Sequence, residues 1–451
     1  MLARDAFMFP FFRFPGTGRV DTRERSKCFL FRGVALIEGL GLQSPNLRLL
    51  ERSAFYQGYS FFFLDFYIQI LGVALNASAL DIGVFTAAVF AAQVVSHPIA
   101  GVLADRLGRS RTLAMGGFVR VLSLVMVGIA FALSSSLLIT IGRAVQGVAA
   151  GFFWTSSSAI VADETEAGGR SGQFGRINLW VYRGMLAGAI GGLLLLPVRL
   201  DAPPYFFALA AGVSGIYALR IKPAPSPAPL TPIGDGLIQP PAKVSQVGTG
   251  LIIVNFLNSA GLLPIASFLT FYVAKTVFPT SATTGGKAVL IALANAPQVI
   301  LLAFVAPFLA RFGDRIGRLR PLALSVLANL PISLALIFIG ELWHLAVFGL
   351  LFAVVGVVFS TSLNSIIGDV YRTRRGLAYG GLNTSFSLGA ALGSALGGVL
   401  FPMGWSTLIV TSVLIQATAL LGVVMIRRGY RATLGTAIDG SFRDVLRDLT
   451  V

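Results

Sequence analysis

The run Asp105-Arg106-Leu107-Gly108-Arg109-Ser110-Arg111 returns 209 residues later as Asp314-Arg315-Ile316-Gly317-Arg318-Leu319-Arg320. Each copy is a short charged turn between apolar stretches of about 20 residues, the length of helix that crosses a bilayer. An apolar chain that repeats one basic turn at half its length reads as a duplicated bundle of membrane helices, whose repeat survives as internal symmetry. Gly108 and Gly317 permit a tight turn with φ above zero.

Hydrophobic residues make up 55% of the chain and charged residues 12%. A soluble domain carries about a quarter charged residues, so the composition is that of a polytopic membrane protein. The net charge of +16 would point to nucleic acid in a soluble protein, but its distribution excludes that here. All but six Lys and Arg fall in the two tails and in alternate loops; Arg199, Lys275 and Lys287 lie on the opposite side, and Arg120, Arg143 and Arg183 within spans. Such positive-inside asymmetry predicts both termini in the cytoplasm. Cys28 is the single cysteine, which excludes an internal disulfide or a cysteine metal cage. His97 and His344 are too few and too far apart for a metal or catalytic cluster. No catalytic residue, metal site or cofactor is expected.

From Leu49 onward twelve spans are expected, at approximately 50–75, 82–104, 112–134, 137–162, 175–197, 204–221, 248–274, 287–310, 321–340, 345–368, 377–400 and 406–427. The predicted fold is an all-α polytopic membrane protein, twelve transmembrane helices in two pseudo-symmetric six-helix bundles. Residues 1–48 read as a flexible cytoplasmic extension, 49–221 and 248–427 as the two bundles, and 428–451 as a cytoplasmic tail. The connecting stretch 222–247 holds seven prolines and reads as an extended linker. Other features repeat in the same order. Phe153-Trp154-Thr155-Ser156 leading to Asp163 returns as Phe359-Ser360-Thr361-Ser362 leading to Asp369, and Gly184, Gly188 and Gly192 return as Gly389, Gly393 and Gly397.

This twelve-span plan, with Gly101-Val-Leu-Ala-Asp105-Arg106-Leu-Gly108-Arg109-Ser-Arg111 between spans two and three, resembles the major facilitator superfamily over about 49–428. The resemblance implies that the doubled turn latches the two halves together on the cytoplasmic side. The implied gate residues are Gly101, Asp105, Arg106, Gly108 and Arg109, then Asp314, Arg315, Gly317 and Arg318, with Asp163 and Asp369 as companions. The Asp of each turn either pairs with Arg or sits at the positive N-terminus of a helix from the other half. The second copy has Ala310 where the first has Gly101, a departure expected to loosen its fit.

Arg143-Ala144-Val145-Gln146-Gly147 in span four resembles the superfamily motif associated with proton coupling, and the second half does not repeat it. The alternative is a structural Arg bonding backbone carbonyls. Of the 19 acidic residues only Asp65 lies deep in a span. Burial among aromatic residues and a neighbouring cation act on its protonation in opposite directions. Asp65 and Arg143 differ in depth by roughly 5 Å at 1.5 Å per residue, within reach of one Arg side chain. The pair is therefore a candidate proton-coupling site, or else a fixed salt bridge. Arg120 and Arg183, in the cytoplasmic thirds of spans three and five, are expected to snorkel to the surface, with anion binding as the alternative.

Spans one, four, seven and ten line the central path in the superfamily. The candidate substrate cavity, drawn from these spans and span eight, comprises Phe62, Gln69, Gln146, Trp154, Asn255, Asn258, Gln298 and Asn364. The glycines of spans five and eleven let helices pack closely. Ala189 and Ser394 stand where the superfamily's antiporters carry Pro. Together these residues predict a transporter, not an enzyme. It moves a small organic solute by alternating access with protons as partner, as a multi-pass protein of the plasma membrane and as a monomer. Proton-coupled efflux resembling drug antiport is the first expectation; proton-coupled uptake of a sugar, carboxylate or other metabolite is the second.

Overall fold

The computed structural model describes residues 44–74, 77–165, 169–195, 202–222, 242–276, 284–371 and 375–434, with the backbone alone at 62–74, 242–246, 284–289, 291–292, 311–316, 375 and 428–434. Most of the expected N-terminal extension and linker, and the C-terminal tail from 435, lie outside the described residues.

Twelve long helices occupy the described residues: α1 Pro45–Ala74, α2 Ala79–Leu107, α3 Arg109–Ala132, α4 Ser136–Glu164, α5 Arg170–Leu195, α6 Ala202–Leu219, α7 Ala242–Thr276, α8 Thr284–Ile316, α9 Leu319–Ala335, α10 Leu342–Val370, α11 Arg375–Leu400 and α12 Trp405–Leu434. Eleven are long and apolar enough to cross a membrane. Most begin or end a few residues beyond the apolar runs, because polar caps extend a helix past its hydrophobic part. At the start of α2, for example, the Ser78 hydroxyl accepts from the Asp81 N–H while the Asp81 carboxylate accepts from the Ser78 N–H at 2.8 Å.

The repeat is visible in the packing. Gly184 and Gly188 of α5 press on the carbonyls of Phe55 and Tyr59 in α1. Their counterparts in α11 press on α7, where a Cβ at Gly393 would come within 2.5 Å of the Ala260 carbonyl oxygen. Where the antiporter proline is replaced by Ser394, its hydroxyl lies 3.2 Å from that of Ser267 in α7. The two halves meet along α2–α11 and α5–α8. One apolar cluster joins both halves at the end that carries the charged turns, here called the basic end, and includes Leu50, Phe153, Phe174, Leu251, Leu322 and Tyr379. A second cluster, with Phe85, Phe207, Phe268 and Trp405, joins helices of both halves at the opposite end.

Both turns use their glycine as the sequence predicts: φ is +95° at Gly108 and +85° at Gly317. Gly108 also has ψ 143°, a combination open essentially to glycine alone. No atom lies within 4 Å of where a Cβ would stand, so replacement there isolates backbone strain from crowding. Gly108→Ala is expected to cost about 1–3 kcal/mol, seen as a lower midpoint of thermal unfolding in detergent.

Candidate functional site

The basic end is held by a repeated set of bonds. Arg109 pairs with Asp163 and donates from Nη1 to the Ala159 carbonyl at 3.0 Å. In the second half Arg318 pairs with Asp369 and donates from Nη1 to the Ser365 carbonyl at 3.0 Å. The motif arginine at the start of α3 or α9 thus clamps the end of the following long helix, α4 or α10, through the same two contacts.

Asp369 also reaches across the halves. Nη1 of Arg170, the first residue of α5, lies 2.6 Å from Asp369 Oδ1, with the two side chains 5% and 14% exposed. Nη2 of Arg170 donates to the carbonyls of Ala162 and Thr165, which a helix C-terminus leaves without intrahelical partners. Beside it, Ser171 donates to the Ser365 hydroxyl at 2.7 Å, again between halves. Asp105 meets the second half differently: it lies at the first turn of α11, where a Cβ on Gly376 would come within 2.6 Å of its Oδ1. A carboxylate there faces the positive end of the helix dipole. Gly101 makes this approach possible, since its own Cβ would stand 2.8 Å from the Gly376 carbonyl oxygen. Arg106 is exposed. The side chains of Asp314 and Arg315 lie outside the described residues.

The second copy is not loosened by Ala310. That residue is buried against Gly175 of α5, where no Cβ would fit, so the space absent at position 310 is supplied by the facing helix. Two further bonds at this end carry no motif signature. Glu51 pairs with Arg176 at 2.5 Å, tying α1 to α5, and Asn46 donates to Glu164 at 2.8 Å. Just past α10, burial pushes the Tyr371 phenol above its ordinary value, so the hydroxyl stays neutral.

Deeper in the bundle Arg120 differs from expectation. Arg120 does not snorkel. It is fully buried at the middle of α3, donates from Nη2 to the Ser60 carbonyl at 3.2 Å, and stands 4.3 Å over the Phe61 ring of α1. The same ring lies 6.0 Å from Trp154 of α4. Phe61 is one helical turn before Asp65 in α1, so Arg120 is a cation packed against the turn that precedes Asp65. Arg143 donates to the Phe85 carbonyl of α2 at 3.4 Å and to Gln146 Oε1 at 2.9 Å. The side chains of Phe62, Asp65 and Gln69 lie outside the described residues. A fully buried Arg120 has no signature in sequence beyond its place in an apolar span; its direction depends on how α3 is rotated.

The remaining cavity candidates divide. Gln146 is buried beside Arg143, and Trp154 lies against α1. Asn255 donates to the Leu382 carbonyl at 2.8 Å, and Asn258 accepts from Asn329 at 3.3 Å; both are engaged in helix-to-helix bonds. Gln298 donates to Asn295 at 2.7 Å within α8. Asn364 belongs to the basic-end layer, where its carbonyl accepts from the Tyr379 hydroxyl at 2.9 Å. His97 is buried in α2 with Nδ1 3.0 Å from the Thr155 hydroxyl. Among the described residues no three His, Cys, Asp or Glu side chains converge as metal ligands would.

The sequence profile described as Major Facilitator Superfamily matches this chain twice, over residues 53–294 and 251–442. Among curated proteins, the chain is 23% identical to the quinolone resistance protein NorA of Staphylococcus aureus (strain COL), over 82% of this chain and 92% of that one. It is 26% identical to the multidrug resistance protein MdtG of Dickeya zeae (strain Ech586), over 78% and 88%. The fold is shared with the human organic anion transporter MFSD10 (TETRAN) at a TM-score of 0.61 and 18% identity, covering 85% of this chain and all of that one. It is shared also with the E. coli fucose:proton symporter FucP (N162A) at 0.58 and 16%, covering 85% and 98%. The chain belongs to the Major Facilitator Superfamily and is a membrane transporter, not an enzyme.

Proposed function

We infer that the chain exports an amphipathic small organic solute in exchange for protons, with its basic end in the cytoplasm and as a monomer in the cell membrane. The carrying observation is the charge placed inside the bundle. Asp65 is the one acidic residue deep in an apolar span, and Arg120 is buried against the turn of α1 that precedes it. An intramembrane carboxylate is costly when ionised, so its proton occupancy can be tied to the direction in which the bundle opens. Protonation releases α1 from the buried cation, and deprotonation draws it back.

The halves, 49–221 and 248–427, then rock about the glycine-lined seams, and the Asp369 bridge closes the cytoplasmic end. The relatives named for quinolone and multidrug resistance support export of an amphipathic compound. The aromatic surroundings of Arg120, with Phe61 and Trp154, fit such a solute.

The test is transport by everted membrane vesicles under an imposed pH gradient, with amphipathic dyes, cationic and anionic, set against sugars and hydrophilic carboxylates. Dye uptake into the vesicles that stops when the gradient is collapsed is the expected result. Accumulation of a sugar or carboxylate in right-side-out vesicles, with no dye movement, would replace export by proton-coupled uptake.

A further inference from the structure

Among the described residues, Arg183 is the one span arginine left half-exposed, whereas Arg120 and Arg143 are buried. It stands eight residues into the apolar run of α5, which begins near 175, or about 12 Å along the helix, farther than an Arg side chain extends. The faces of α5 fix its direction. Gly184 and Gly188 touch α1, while Leu179 and Tyr182 pack against α8 and α10. Ile190 and Leu194, exposed by 54% and 71%, mark the face turned to lipid. At 100° per residue Arg183 shares that outer face. On α8 the exposed side chains of Ile300, Phe304 and Phe308 form the facing outer stripe.

Arg183 is therefore half-buried where α5 of one half meets α8 of the other, on the outer face of the bundle. Its Nε donates to the Ala303 carbonyl at 3.1 Å. The Trp180 ring is 5.0 Å away and the Phe304 ring 5.9 Å. Among the described residues no carboxylate pairs with it. A permanent charge half-open to hydrocarbon is expensive and marks a functional site. Its complement is an anion whose oxygens fit the guanidinium fork and whose body is apolar enough to enter from the membrane.

We propose that the α5–α8 groove is a lateral binding site for an amphipathic organic anion, its acidic head on Arg183 and its apolar body against Trp180 and Phe304. This names a substrate class for the transport reading and rests on that reading only for the step after binding.

The test is equilibrium binding of 11-(dansylamino)undecanoic acid to the full-length protein in neutral phosphatidylcholine nanodiscs, read by dansyl fluorescence over empty discs. Saturable binding is expected. Arg183→Gln should weaken it at least about tenfold, the effect of losing a charge-assisted bidentate contact. Arg183→Lys should retain part of it, since the ammonium keeps the charge but not the bidentate fork, and Phe304→Ala, at an exposed position, should weaken it several-fold. The methyl ester should bind wild type as poorly as the acid binds Arg183→Gln. With phosphatidylglycerol in the disc, unchanged affinity assigns the site to free acids, and competition assigns it to lipid phosphates; both outcomes support an anion site. Absence of saturable binding, equal binding of acid and ester, or equal binding by wild type and Arg183→Gln would overturn it. Because this binding needs no gradient, a failure of proton coupling would leave its affinity unchanged.

Discussion

Asp369→Asn is expected to open the basic end of the bundle. Asp369 receives Arg170 from the first half and Arg318 from its own, and both arginines are almost fully buried. The Asn side chain keeps the volume but removes the charge that pairs Arg170 of the first half with the second. Breaking a buried pair from one side costs about 3–5 kcal/mol. The bond joins the halves, so the cost falls on the closed arrangement and is relieved when the halves part. A change of that size shifts a two-state equilibrium by more than about a hundredfold. Spin labels at Arg111→Cys and Arg427→Cys, exposed positions near the basic end of each half, report it in a Cys28→Ser background. The distance distribution should move to longer values in Asp369→Asn. An unchanged distribution would mean that the ion pair does not hold the end shut.

Asp65→Asn is expected to abolish transport driven by a pH gradient while leaving folded protein in the membrane. Asn matches Asp in shape but cannot take up or release a proton. No other acidic residue lies deep in a span, so no second carboxylate can take over. Asn keeps the side-chain volume, and Arg120 keeps its contacts with the Ser60 carbonyl and the Phe61 ring, which hold it in place in the variant. Solute exchange without a gradient, which needs no net proton movement, should persist. Retained exchange with lost gradient response is the signature of uncoupling; loss of both would indicate a structural role.

The architecture was legible in the sequence because membrane helices announce themselves by hydropathy and a duplicated bundle by its repeated turn. Gly108 and Gly317 take the positive φ their place in that turn requires, and Arg109 and Arg318 make matching bonds. Depth and rotation were less legible. The apolar run of span five begins near residue 175, yet α5 begins at Arg170, and the cross-bundle bond that Arg170 makes with Asp369 carries no hydropathy signal. Arg120 turns inward and Arg183 outward, a difference set by helix packing and not by residue type. Asn255 and Asn258 likewise look alike in sequence, but one bonds α11 and the other α9. Ala310 shows the same limit from another side. Its cost is offset by Gly175, 135 residues away in the chain, which no single motif would pair with it.

The most direct test of proton-driven export through Asp65 compares wild type and Asp65→Asn in everted vesicles, with dye uptake followed as an acid-inside gradient is imposed and then collapsed. Gradient-dependent uptake in wild type, absent from Asp65→Asn at equal protein level and with exchange preserved, is the predicted result. Gradient-driven uptake that persists undiminished in Asp65→Asn would contradict the account.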